Sequence, residues 1–140
     1  MEKLTRRESM ILRFMYDMLQ YSPIIGVKQV ADFLGVSSPS AYEILSRLTN
    51  EKKLLIRIEK KGYVLSKRGK NIAKQIVVVH RVLELFFCNY FGLDSDCACR
   101  IASHIDFMID QDKAERALKT ANLPLVCPHN KEIPIGDDDE

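Results

Sequence analysis

The sequence predicts a mostly α-helical protein with one small β-hairpin wing, in which a winged helix-turn-helix is followed by an all-helical domain. Three observations predict it. Apolar residues recur at helical spacing through most of the chain, interrupted once by two short strand-like runs around a basic turn. The ordered series helix, helix, tight turn, helix, basic hairpin occupies residues 6–65. Formal charge divides where that series ends: residues 1–80 carry 15 Lys/Arg against 7 Asp/Glu, and residues 81–140 carry 6 against 12. A half at +8 joined to a half at −6, which a net charge of +2 conceals, suggests a polyanion-binding domain attached to a part with another task.

Each element has its own signals. Residues 6–21 place Met10, Ile11, Phe14, Met15, Met18 and Leu19 at helical spacing. Ser22-Pro23 ends that helix, because proline disfavours the helical conformation in the residue before it. Val27, Val30, Ala31 and Leu34 form the apolar face of a short second helix, and Gly35 is a usual helix stop. Ser37 or Ser38 is a good N-cap and Pro39 suits a first helical turn. The third helix turns Ala41, Ile44, Leu45 and Leu48 inward and ends near Asn50. Residues 54–58 and 62–65 read as the strands of the wing around Glu59-Lys60-Lys61-Gly62.

A long helix over residues 67–90 has Ile72, Ile76, Val79, Val82, Leu83 and Phe86 on its apolar side and breaks at Gly92. Two further helices are predicted over 95–109 and 110–121. Pro124, Pro128 and Pro134 then indicate an extended tail, closed by Asp137-Asp138-Asp139-Glu140. The organisation read from these signals is a DNA-binding domain at 1–70, a helical domain at 71–136 and an acidic tail at 137–140.

No apolar run approaches a membrane span, since His80, Arg81 and Glu84 break the longest one. No segment of signal-peptide type follows Met1, so a cytoplasmic protein without a membrane partner is expected. No phosphate-cradling glycine loop and no nucleophile–base arrangement is visible, which argues against an enzyme. Cys88 sits in the apolar run Leu85-Phe86-Phe87-Cys88 and reads as a core residue. Cys97, Cys99 and Cys127 sit among polar residues, where metal binding or redox chemistry is the commoner role for a thiol.

The amino-terminal part of the third helix is the part that enters the major groove in this motif, which makes double-stranded DNA the expected partner. Ser37, Ser38, Pro39, Ser40, Tyr42 and Glu43 are best placed there. Serine hydroxyls suit phosphates or base edges, and Pro39 suits a thymine methyl. Arg47, further along the helix, suits a phosphate. In the wing Arg57, Lys60 and Lys61 suit the backbone or minor groove, as do Lys67, Arg68 and Lys70 just after it. The competing reading is a winged helix used as a protein-interaction module, for which duplex binding would be absent.

The stretch Val27-Lys28-Gln29-Val30-Ala31-Asp32-Phe33-Leu34-Gly35-Val36-Ser37-Ser38-Pro39-Ser40 resembles the helix-turn-helix of the diphtheria toxin repressor family. So do Gly62-Tyr63-Val64-Leu65-Ser66-Lys67-Arg68-Gly69-Lys70, the segment His80-Arg81-Val82-Leu83-Glu84-Leu85-Phe86, and Gly92-Leu93-Asp94. Cys127-Pro128-His129 is similar to the Cys-Pro-His-Gly segment that often closes this family's dimerisation domain. The resemblance covers roughly residues 6–134 and is nearest to the short, two-domain type such as the manganese transport regulators. It implies a homodimer that binds a divalent metal and then a palindromic operator, usually to repress metal-uptake genes. In that frame 71–136 is a dimerisation and metal-binding domain.

His80 and Glu84, four apart on a helix, share a face as a two-ligand clamp requires; an ordinary exposed i,i+4 pair is the plainer alternative. Matching Gly92-Leu93-Asp94 to the family puts Cys99 where a metal-binding histidine is frequent. It puts Ser103 and Asp106 at further ligand positions and Phe107 at a histidine ligand position, with Met10 at the first-helix position and Glu8 nearby. Phe107 has no metal donor and Ser103 is a poor one, so the family's main regulatory site looks degraded while His80, Glu84 and Cys99 look intact. Asp106 is either a further ligand or a solvated acid. Cys127 and His129 either bring ligands from the tail or form a structural turn around Pro128. Cys97 with His104 makes a second candidate face. Thiolate, imidazole and carboxylate together favour zinc or iron over manganese. A structural metal with thiol oxidation at Cys97 and Cys99 as the signal is the alternative control.

Overall fold

The computed structural model describes residues 3–136; the expected acidic tail at 137–140 lies outside them. The elements run α1 (Arg6–Met18), α2 (Val27–Leu34), α3 (Ser38–Ser46), a π-helical turn (Arg47–Glu51), β1 (Leu55–Ile58), β2 (Gly62–Leu65), α4 (Lys67–Phe91), α5 (Ser95–Ala102) and α6 (Gln111–Ala121). The mostly helical chain with one small hairpin is therefore as expected. Packing divides it into two compact units, Arg7–Ala73 and Lys74–Glu140, the second taking in the first six residues. The chain passes from one to the other within α4.

In the unit Arg7–Ala73, α1 buries Ile11, Leu12 and Met15 and stops at Met18, three residues short of the expected end. There the chain turns, with Tyr21 N and Ser22 N both donating to the Met18 carbonyl, so Leu19 leaves the helix. Val30 and Ala31 of α2 and Ala41, Ile44 and Leu45 of α3 are buried. Gly35 ends α2 in the left-handed region (φ 69°), where a side chain would be strained. Ser37 caps α3, accepting from Ser40 N at 3.3 Å. The third helix widens into the π-helical turn, where Lys52 N donates to the Arg47 carbonyl and Thr49 Oγ1 donates to the Leu45 carbonyl at 2.7 Å.

The hairpin pairs Leu55 with Leu65 through Ile58 with Gly62, antiparallel. Ile25 adds a bridge to Tyr63 through two backbone hydrogen bonds of 2.8 and 2.9 Å. Gly69 in the first turn of α4 lies so close to the Leu54 carbonyl that a Cβ there would collide with it. Glu8 is 1% exposed and its Oε1 accepts from Lys52 Nζ at 2.8 Å. That ion pair compensates a charge that would otherwise be costly to bury. The carboxylate noted beside the first-helix ligand position is thus bound to a lysine of its own unit.

In the other unit, Val78, Val79, Val82 and Leu85 of α4 form a core with Ala114 and Leu118 of α6 and with Ile133 of the tail. Two expectations change here. The helix expected over 95–109 ends at Ala102, after which residues 103–108 wind as tight turns. Ser103 Oγ donates back to the Arg100 carbonyl at 2.7 Å, and His104 N and Ile105 N take i−3 carbonyls, which breaks the α-helical ladder. The tail is folded back instead of extended. Val126 pairs with Glu132, Cys127 N donates to the Lys131 carbonyl at 2.9 Å, and Ile133 N donates to Leu125 O at 2.8 Å. Arg81 of α4 donates to the Glu132 carbonyl and Lys74 to that of Gly136, at 2.9 Å in the second case, so α4 holds the tail through its backbone.

Candidate metal centre

The centre is assembled on α4. Its i,i+4 spacing sets His80 and Glu84 on one face, and both are buried, at 3% and 2% exposure. His80 Nε2 lies 3.4 Å from Glu84 Oε1. Asp94 caps α5 by accepting from Cys97 N at 2.8 Å, which fixes the start of that helix. Cys99, one turn in, then brings Sγ to 3.4 Å from His80 Nε2. Tetrahedral zinc with ordinary Zn–N, Zn–O and Zn–S bonds has ligand-to-ligand edges of about 3.4–3.6 Å. The donor atoms of His80, Glu84 and Cys99 all lie within 4.8 Å of one another.

Asp106 belongs to no such donor group among the described residues. Its Oδ2 lies 2.9 Å from His80 Nδ1, deep in the unit with Asp106 1% exposed. In the tautomer that donates from Nδ1 to this carboxylate, Nε2 presents a lone pair toward Cys99 and Glu84. The backbone bond from Asp106 N to the Ala102 carbonyl, 2.9 Å, belongs to the turn that replaces the end of α5.

The tail turn supplies a second group. Glu84, Cys127 and His129 also place one donor atom each within 4.8 Å of one another. The turn is closed by Asn130 N donating to the Cys127 carbonyl at 2.9 Å, with Asn130 in the left-handed region. So the tail pair is both a turn around Pro128 and a donor set. Glu84 Oε2 is buried and lacks a hydrogen-bond partner, although His129 Nδ1 stands 2.7 Å away. That separation is the distance of an ion pair between an imidazole and a carboxylate. A buried carboxylate next to thiols and imidazoles also fits a divalent transition metal.

Other expected positions are occupied differently. Cys97 and His104 fall in neither group, and His104 is exposed. Ser103 is buried, accepting from Arg6 Nη2 at 3.0 Å while donating to Arg100 O. Phe107 is half-buried. Cys88, read as a core residue, is only half-buried; burial first, then Glu84, Asp94, Cys127 and Cys97, pushes its thiol pKa up. The double use of Glu84 escaped sequence reasoning, because only the folded-back tail shows that both of its oxygens meet donors.

The candidate DNA-contacting residues lie in the unit Arg7–Ala73. Ser38, Pro39, Tyr42, Glu43 and Arg47 are exposed, as are Arg57, Lys60 and Lys61. Lys60 takes the left-handed conformation (φ 62°) that closes the hairpin turn. The Ser37 and Ser40 hydroxyls engage each other at 3.0 Å. Arg68 Nη1 donates to the Lys52 carbonyl at 2.6 Å, so that guanidinium also braces its own backbone.

Residues 66–135 match the family described as "Iron dependent repressor, metal binding and dimerisation domain". The chain belongs to the iron-dependent repressor family. It is 24% identical over 135 residues to the iron-dependent repressor IdeR of Mycobacterium bovis and of Mycobacterium tuberculosis, covering 96% of this chain and 58% of each relative. The chain thus spans little more than half the length of those relatives. Among solved structures it is similar to the manganese regulator SloR, at 27% identity and a TM-score of 0.80, over 96% of this chain and 61% of that one. A structure of ScaR with bound zinc matches at 25% identity and a TM-score of 0.71, over 91% of this chain and 59% of that one. The hypothetical protein SSo2273 from Sulfolobus solfataricus matches at 26% identity and 0.70, over 94% of this chain and all of that one.

Proposed function

We propose that this protein is a metal-dependent transcriptional regulator, a repressor that binds a palindromic operator as a homodimer. The observation that carries the reading is the His80–Glu84–Cys99 donor set, with His80 and Glu84 buried, in a segment matching a metal-binding and dimerisation domain. Supporting the DNA part, α1–α3 and the β1–β2 hairpin follow the order of a winged helix-turn-helix and present a polar, exposed start of α3. Ser38, Pro39, Tyr42 and Glu43 would read base edges. Arg47, Arg57, Lys60 and Lys61 would meet phosphates. Supporting the homodimer, the unit Lys74–Glu140 exposes Tyr90, Phe91 and Met108 at 61%, 71% and 70%.

His80, Glu84 and Cys99 would hold an ion, and Cys127 and His129 form a further donor group with Glu84 at the tail. A bound ion would supply positive charge that joins donors from α4 and α5. Asp106 keeps His80 in one tautomer and orientation. Burial of His80 and Glu84 keeps water from those donors, and ionising the thiol makes binding favour higher pH. The donor chemistry selects zinc or ferrous iron over manganese. Ser103 is engaged by Arg6 and by the Arg100 carbonyl and Phe107 has no metal donor, so control passes to the His80 group.

The test is duplex binding to genomic fragments enriched by the metal-loaded chain, titrated with zinc, ferrous iron and manganese, with and without chelator. Metal-dependent tightening, strongest with zinc or iron, is expected. Affinity indifferent to every metal and to chelator would sink the metal switch. Absence of salt-dependent duplex binding would sink the DNA reading in favour of an interaction module.

A further inference from the structure

We infer that the two donor groups are the halves of one dinuclear centre, in which Glu84 bridges two divalent transition-metal ions. One ion is held by His80 and Cys99, the other by Cys127 and His129. The inference rests on the metal-binding reading above and goes beyond it in number and arrangement.

The first argument is geometric. Glu84 is the only residue common to both groups, and it uses a different oxygen toward each, Oε1 at 3.4 Å from His80 Nε2 and Oε2 at 2.7 Å from His129 Nδ1. The five residues do not come together as one group, so a single ion does not collect all of them. Each half offers the same complement, one imidazole nitrogen, one thiol sulfur and one carboxylate oxygen, and leaves a fourth position open. The direction of the second oxygen is the second argument. Oε2 is buried and faces His129 Nδ1 at 2.7 Å, itself a member of the tail group, so that oxygen is turned to the tail donors while Oε1 is turned to His80.

Charge is the third. Cys127, Glu84, His80 and Asp106 are all below 5% exposed. Each ion displaces one thiol proton, so one ion with the Cys99 thiolate, Glu84 and Asp106 leaves one negative charge, whereas two ions with two thiolates and the same carboxylates leave none.

The test titrates the reduced, metal-free full chain with cobalt(II) under anaerobic conditions, following thiolate-to-cobalt charge-transfer absorption and equilibrium stoichiometry. Two equivalents per chain are expected, each adding its own thiolate band. Cys99→Ser should abolish one equivalent and Cys127→Ser the other, each variant retaining one. His129 is exposed, so His129→Ala is the mild second variant and should lose the same equivalent as Cys127→Ser. Glu84→Gln should weaken both equivalents more than about tenfold, with folding checked by far-UV circular dichroism. A wild-type chain saturated by one equivalent overturns the bridge while leaving metal control intact. So does a titration in which Cys127→Ser and His129→Ala change nothing. A chain that binds no cobalt overturns both the bridge and the metal-binding reading.

Discussion

A histidine that holds a metal through one ring nitrogen needs the other nitrogen engaged, or its ring turns and its tautomer is undefined. Asp106 meets that need for His80 at 2.9 Å. Asp106→Asn keeps the shape and removes the charge. It should lower metal affinity about 10–100-fold while leaving the cobalt stoichiometry unchanged, as measured by competition with a chromogenic chelator. Unaltered affinity would mean that Asp106 merely fills space. The sequence placed Asp106 near the site but left open whether it binds metal or water. That choice depends on where the turn after Ala102 points, which no spacing rule supplies. His80 with Glu84 was readable because i,i+4 geometry is local. Cys127 with Glu84 was not, because 43 residues separate them and only the folded-back tail joins them.

Elements were legible where their stop signals are strong and illegible where side chains compete with the ladder. Gly35, Pro39 and Gly92 marked α2, α3 and α4 within a residue or so. α5 misled, since Ile101, Ile105 and Met108 continue a helical pattern while Ser103 bonds backward to Arg100 O and unwinds it. The π-helical turn after α3 left no trace in the sequence, because extending a loop by one residue changes no residue type. Gly69 shows a constraint that composition hides. It looks like an indifferent helix residue, yet a Cβ would run into the backbone of Leu54, which has little room to move beside Leu55 in β1. Gly69→Ala should therefore destabilise the unit by about 1–3 kcal/mol through overpacking, opposite to the gain alanine normally brings in a helix. Urea unfolding reads the sign directly. A stabilised variant would show that α4 starts with room to shift.

At the scale of the whole chain, charge of opposite sign is gathered in the two halves of the sequence. The basic half holds the exposed Arg57, Lys60 and Lys61 of the hairpin, and the unit Lys74–Glu140 holds the donor set and the exposed Tyr90 and Phe91. If the hairpin meets phosphates, Lys60→Ala with Lys61→Ala should reduce the salt slope of duplex binding by about 1 per lysine and spare sequence preference. An unchanged slope would take the wing off the contact surface. The same distribution makes a demand on the other half. Tyr90 and Phe91 end α4 at 61% and 71% exposure, and a pair of aromatic rings left in water, in a unit that also exposes Met108 and Ile101, costs solubility unless something covers it. A second copy of the chain is the cover the homodimer reading requires. Tyr90→Asp with Phe91→Asp should then shift sedimentation from dimer to monomer at micromolar concentration, and duplex affinity should fall because the two half-sites are no longer held by one particle. Circular dichroism and cobalt stoichiometry should stay at their wild-type values, since neither side chain belongs to the donor set. A dimer that survives both substitutions would place the interface elsewhere and leave these rings to another partner.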